Sequence, residues 1–154
     1  MVSMIVKATM NDVQNIHDLL SQFARKESLL SRSLSELYSY LRDFFVFRSD
    51  DDSRMVGVCG LHICWDNLAE IRSLAVEETE QGHGVGRALV EACLSDAVML
   101  GIYRIFALTY VPEFFVKQGF KVVPKDVLPH KVWADCLKCP KFPNCDETAV
   151  LLEL

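Results

Sequence analysis

Residues 70–100 read EIRSLAVEETEQGHGVGRALVEACLSDAVML, and this stretch decides the fold. Glu70 to Val76 reads as a strand, since Ile71, Leu74 and Val76 are apolar and no Gly or Pro interrupts it. Glu77 to His83 is a polar, glycine-containing loop. Gly84 to Leu100 reads as a helix, with Val85, Leu89, Ala92, Cys93, Val98 and Leu100 near helical spacing, and Gly101 stops it. Where loop becomes helix, the chain reads Gln81-Gly82-His83-Gly84-Val85-Gly86-Arg87. Alternating glycines let the backbone turn sharply and approach a ligand closely. Free N–H groups and the positive end of the helix dipole converge there, so the turn suits an anion such as phosphate. The bland alternative is a turn that does nothing except start a helix.

Two nucleotide-binding patterns fail on spacing. A P-loop needs Lys followed by Ser or Thr after its last glycine, and Arg87-Ala88 stands there. The dinucleotide fingerprint needs two residues before its last glycine, but Gly84 and Gly86 are separated by one. It also needs an acidic residue at the end of the next strand, and Thr109-Tyr110 occupies that place.

The rest of the chain bounds the answer. Its 154 residues suffice for one domain, residues 1–154, with a sizeable core. The apolar runs are too short to span a bilayer, and no signal peptide opens the chain, so no membrane partner is expected. A net charge of −5 argues against nucleic acid, which needs a basic surface. Six cysteines without a secretory context point to reduced thiols and a cytoplasmic location. A homodimer stays open.

Along the chain, Ile5 to Ala8 is a first strand, and Thr9-x-x-Asp12 opens a helix carrying Val13, Ile16, Leu19, Leu20 and Phe23 on one face. Lys26 to Arg32 reads as a loop. Ser33-x-x-Glu36 is a full capping box, opening a second helix that reaches about Leu41. Phe44 to Arg48 is a strand, Ser49 to Ser53 a solvated turn, and Met55 to Trp65 a long strand interrupted in part at Gly57 and Gly60. Asp66-Asn67 turns the chain into the Glu70 strand. After Gly101 come a strand at Arg104 to Thr109, a short helix from Pro112 to Gln118, a strand at Lys121 to Val123, and a closing strand at Thr148 to Leu154.

Strand, loop and helix in this order, with Gln/Arg-x-x-Gly-x-Gly/Ala after Leu-Ala-Val, resemble the GNAT superfamily of N-acetyltransferases. So does the element order β-α-α-β-β-β-α-β-α-β. The resemblance implies an α/β (α+β) fold. Its central sheet is mixed, mostly antiparallel, flanked by helices and splayed where strand 70–76 meets strand 104–109. It implies that Gln81, Gly82, His83, Gly84, Val85, Gly86 and Arg87 hold the pyrophosphate of acetyl-CoA. Leu74, Ala75 and Val76 would then pair with the pantetheine arm, with Phe114, Phe115 and Lys117 also beside the cofactor. No metal is implied for the transfer.

The segments Met55 to His62, Glu70 to Val76, Ile105 to Thr109, Glu113-Phe-Phe-x-x-x-Gly-Phe120 and Leu128-Pro129 narrow the resemblance. They look like the acetyltransferase domain of N-acetylglutamate synthases, in the short single-domain bacterial form. That family acetylates the α-amine of L-glutamate, towards arginine. Its larger members add an arginine-binding domain, for which 154 residues leave no room. The alternatives are an acetyltransferase for another small amine or a protein N-terminus, and a non-catalytic CoA-binding sensor.

Transfer needs a donor for the developing oxyanion, and a backbone N–H near Leu74 or Ala75 can serve. It also needs a proton acceptor for the amine, for which Glu70, Glu113 and His62 are candidates. Many members of the superfamily place a Tyr in Phe-Tyr-x-x-x-Gly-Phe to protonate the departing thiolate. Here that position is Phe115, which has no proton to give, so Tyr110 is the remaining nearby phenol. Arg72, an Arg inside an apolar strand, and Arg32, just before the second helix, are the candidates for binding the acceptor's carboxylates. Finally, Cys136-x-x-Cys139 with Cys145 and His130 has partly zinc-like spacing, with reduced, packed cysteines as the alternative.

Overall fold

The computed structural model describes residues 4–25, 32–50, 53–129 and 147–154. Seven strands form one sheet in the order β1-β2-β3-β4-β5-β7-β6. They are β1 (Met4–Lys7), β2 (Phe44–Arg48), β3 (Met55–Trp65), β4 (Leu68–Val76), β5 (Arg104–Thr109), β6 (Lys121–Val123) and β7 (Thr148–Glu153). The helices are α1 (Val13–Arg25), α2 (Leu34–Ser39), α3 (Val85–Met99) and α4 (Pro112–Val116). The ten-element order read from the sequence is one strand short, because β6 and β7 both join the sheet. Pairs β1–β2, β2–β3, β5–β7 and β6–β7 are antiparallel, and β4–β5 is parallel. The parallel register is confined to Ala69↔Ile105 and Glu70↔Phe106, at the opening of both strands. By contacts the chain groups into two compact units, Met1–Leu61 with Ile71–Asp96, and His62–Glu70 with Ala97–Leu154.

In the first unit, α1 lays Val13, Ile16, Leu19 and Leu20 against Leu37, Phe44, Val46, Met55, Val58 and Ala75. Each aliphatic side chain buried this way contributes about 1.5–3 kcal/mol. The Asp12 carboxylate accepts from the Thr9 N–H at 2.8 Å and from Arg48 Nη2 at 2.5 Å. That pairing explains how a charge sits there with 3% exposure. Residues 55–61 of β3 are all buried, without alternation, so the strand is covered on both faces. Gly57 and Gly60 do not interrupt it. A Cβ on Gly57 would lie 3.0 Å from both Leu89 Cδ1 and Val85 Cγ1, and one on Gly60 would lie 3.1 Å from the Phe44 ring. Both glycines therefore mark close approach. On α3 the buried stripe is Val85, Leu89, Val90, Cys93 and Ala97, whereas Val98 is exposed because it falls off the 3.6-residue period and Leu100 because the helix ends at Met99.

In the second unit, Cys64, Leu68, Phe106, Leu128, Ala149 and Leu151 form the core. The α3 helix ends here with the Gly101 N–H donating to the Val98 carbonyl and the Ile102 N–H to the Ala97 carbonyl. The same closure ends α4, two residues earlier than the sequence reading: Gly119, at φ +99°, donates to Val116 and Phe120 to Phe115. The apolar contact that accompanies such a cap is the Phe115–Phe120 ring pair, with centroids 5.3 Å apart. Likewise α2 stops at Ser39, and Leu41–Asp43 forms a separate 3-10 turn.

Candidate functional site

Everything from Ile71 to Asp96 lies in the first unit, so the site can be built there residue by residue. In β4, Glu70, Arg72 and Leu74 are half-buried while Ile71, Ser73 and Ala75 are buried, the two-residue alternation of a strand. Ser73 has φ +58° within the strand, a conformation that L side chains rarely adopt. Such a residue re-aims the following peptide, here the one carrying the Leu74 N–H.

Past Val76 the chain makes a 3-10 turn at Glu78–Glu80, and Gln81 Nε2 donates to the Val76 carbonyl at 3.0 Å. Gln81 thus ties the loop back to the strand end. Gly82 and Gly84 take φ +83° and +84°, and a Cβ at either would meet nothing within 4 Å. Glycine is required there by backbone conformation rather than by crowding. The Ala88 N–H donates to the Gly84 carbonyl at 3.0 Å, so the N–H groups of Val85, Gly86 and Arg87 precede the first bonded turn of α3. This fifteen-residue helix therefore offers unbonded donors and its positive dipole end at the glycine loop. Arg87 is turned to the surface, with Nε 3.0 Å from Glu91 Oε1, and exposed His83 has Nδ1 3.8 Å from Glu80 Oε2.

The two arginines singled out in the sequence line one pocket, with Glu36, Leu37, Tyr40, Asp43 and Phe44. Arg32 lies just outside α2. Its Nη1 is 3.4 Å from Glu36 Oε2, and its Nε is buried with no hydrogen-bond acceptor among the described residues. The capping box fixes Glu36: its backbone N–H donates to Ser33 Oγ at 3.1 Å, and its Oε1 accepts from the Ser33 hydroxyl at 3.3 Å. Burial alone would raise the Glu36 carboxyl, but the Ser33 N–H and the Arg32 guanidinium outweigh it and hold it below its ordinary value. Tyr40 and Asp43 escaped the sequence reading, and Glu36 entered it only as part of the capping box, not as a pocket residue. The signal was present only in part, since Arg32 and Glu36 are four apart in sequence and oppositely charged.

In the second unit, Tyr110 is half-buried just past β5, and Glu113 is exposed in the first turn of α4. Phe114 is half-buried. Phe115 is 4% exposed, edge-on to both Phe114 and Phe120, so its ring belongs to the core. Lys117 is exposed at the end of α4, and His62 is half-buried in β3. Among the described residues no group of three or more His, Cys, Asp or Glu could hold a metal ion. His130, Cys136, Cys139 and Cys145 lie outside the described residues. No helix among those residues is long and apolar enough to cross a membrane.

Comparisons with known proteins place the chain in a family. The profile of the acetyltransferase (GNAT) family matches residues 12–120. An uncharacterized N-acetyltransferase of Chlorobaculum tepidum is 36% identical over 147 residues, covering 96% of this chain and 94% of that protein. An amino-acid acetyltransferase of Mycobacterium tuberculosis is 38% identical over 115 residues, 74% of this chain and 66% of the relative. Among solved structures, Rv2747 of Mycobacterium tuberculosis in complex with CoA and NLQ superposes with a TM-score of 0.86 at 30% identity, covering 98% and 99% of the two chains. N-acetylglutamate synthase of Neisseria gonorrhoeae, complexed with coenzyme A and N-acetyl-glutamate, gives a TM-score of 0.90 at 25% identity. This chain spans 35% of that synthase's length. The chain belongs to the acetyltransferase (GNAT) family and is an N-acetyltransferase that uses acetyl-CoA.

Proposed function

We propose that the acceptor is an α-amino acid, L-glutamate first and L-glutamine second, and that acetylation occurs by direct attack in a ternary complex. The observation that carries this reading is the pocket in which Arg32 and Arg72 meet. Two guanidinium groups on one pocket suit a ligand with a carboxylate and a second acceptor end, and they oppose a cationic amine. The relatives add support: curated amino-acid acetyltransferases match this chain, and the gonococcal synthase structure holds N-acetyl-glutamate. On this reading the product enters arginine biosynthesis, the chain acts as one acetyltransferase domain, and it works in the cytoplasm.

The chemistry assigns roles to named groups. The N–H groups at the start of α3, with Gln81, Gly82, His83, Gly84, Val85, Gly86 and Arg87 around them, hold the pyrophosphate of acetyl-CoA. Leu74 to Val76 pair with the pantetheine arm. The neutral α-amine attacks the thioester carbonyl. The C–N bond forms, the carbonyl oxygen becomes negative beside the Leu74 or Ala75 N–H, and the C–S bond then breaks. The amine's surplus proton passes to a base, directly or through water, and the departing thiolate takes up a proton as it leaves. The test is thiol release from acetyl-CoA across the twenty amino acids. Glutamate or glutamine should stand first, and release with neither would reject the reading.

A further inference from the structure

We infer that Glu36 is a specificity-determining residue of the arginine pocket: held against Arg32, it narrows the preference for glutamate over glutamine by penalising a second carboxylate relative to an uncharged carboxamide end. This rests on the reading that the pocket takes the acceptor amino acid. Arg32 Nη1 faces Glu36 Oε2 at 3.4 Å, so part of the guanidinium's charge is already matched. Its buried Nε has no acceptor among the described residues.

A ligand end that meets Arg32 therefore supplies an acceptor for Nε beside an anionic neighbour. A carboxylate supplies it but brings a like charge against Glu36. A carboxamide supplies its C=O to Nε and turns its NH2 towards a Glu36 oxygen, which retains a free lone pair. Asp43 lines the same pocket, so its carboxylates balance its arginines and a dianionic ligand is not matched by surplus positive charge. Two like charges roughly 5 Å apart in a half-solvated pocket repel enough to shift a preference about tenfold after screening.

The geometry also supplies a clean perturbation. Glu36 is the third helical residue of the α2 capping box, a position that Gln fills as well as Glu. Glu36→Gln thus removes the charge and keeps the cap, at a side chain that is 46% exposed. Ser33→Ala does the reverse, weakening the cap and leaving the charge. The experiment measures kcat/KM for L-glutamate and L-glutamine in the wild-type chain and both variants, with acetyl-CoA binding as the check on folding. Glu36→Gln should raise the glutamate-to-glutamine ratio about tenfold. Ser33→Ala should leave the ratio within about twofold while lowering the melting temperature. A ratio unchanged in Glu36→Gln overturns the inference, whether both substrates improve together or neither does, because Glu36 then does not sense the side-chain end. Wild-type enzyme that acetylates neither amino acid overturns the acceptor reading itself, and this inference with it.

Discussion

Replacing Gly84 by Asn and by Asp separates the two things this residue does. At φ +84° the position is left-handed, and any side chain there costs backbone strain, while the open space around the Cβ removes steric clash. Left-handed strain is worth about 1–2 kcal/mol for an ordinary residue, and Asn and Asp tolerate it better than most. Gly84→Ala should therefore lower the melting temperature by roughly 2–8 °C for a chain of this size. Asn and Asp should lower it less. They match in shape and differ by one charge at the N-terminus of α3. In the free protein that charge meets the positive end of the helix, so Asp should be the more stable of the two by about 0.3–1 kcal/mol. Acetyl-CoA reverses the order. A carboxylate about 6 Å from a phosphate, at an effective dielectric near 20, costs about 2.8 kcal/mol before screening, hence roughly 10- to 100-fold in affinity. The assay pairs melting curves without ligand with calorimetric titration of acetyl-CoA. Equal affinity for Asn and Asp would refute the placement of the pyrophosphate at this helix start.

Arg32→Ala and Arg72→Ala should each lower kcat/KM for the preferred amino acid by about two orders of magnitude, since removing one partner of a desolvated pair costs a few kcal/mol. Acetyl-CoA affinity should stay within about twofold in both, and near wild-type kcat/KM would reject their assignment. Cys59 and Cys93, fully buried with sulfurs 3.7 Å apart, should resist alkylation in the native protein. The hydrogen bond to Cys93 and burial push the Cys59 thiol well above its ordinary value, so the reactive thiolate is suppressed until unfolding. Peptide mass mapping after a short iodoacetamide pulse checks this, and rapid native labelling would contradict it. Below the amine's own pKa, kcat/KM should rise about tenfold per pH unit, because only the neutral amine attacks. A chelator should leave that rate unchanged, and loss of activity restored by one metal would contradict the proposed transfer.

The sequence was most informative where local chemistry and tertiary packing agree. β2, β3, β5 and β6 run as read because Gly, Pro and Asp clusters bound them, and the Ser33 capping box set the start of α2 within a residue. Helix ends were read too long wherever a 3-10 turn takes over, as at Leu41–Asp43, since local propensity does not separate the two. Of the site, the glycine loop was legible because φ near +84° demands glycine. The left-handed Ser73 was not, because serine carries no mark of a conformation the surroundings impose on it. Arg32 and Arg72 could be suspected singly. That they share a pocket, with Glu36 between the helix cap and the guanidinium, is a fact of tertiary structure.

The two bare positions in β3 act as shims. With Val85 and Leu89 3.0 Å from where a Gly57 methyl would sit, the gap between sheet and helix is set at its minimum, in the first turns of the helix that follows the glycine loop. On Gly60 the same hypothetical carbon meets the Phe44 ring and, at 3.4 Å, the Arg72 carbonyl. One missing methyl thus gauges the seat of the proposed phosphate cradle and the other the seat of an arginine. Neither glycine needs to touch a ligand for its replacement to detune binding. A methyl at 57 would lift the helix start by a few tenths of an ångström, and one at 60 would shift the arginine strand, so on the proposed assignment each glycine calibrates the seat of a different substrate.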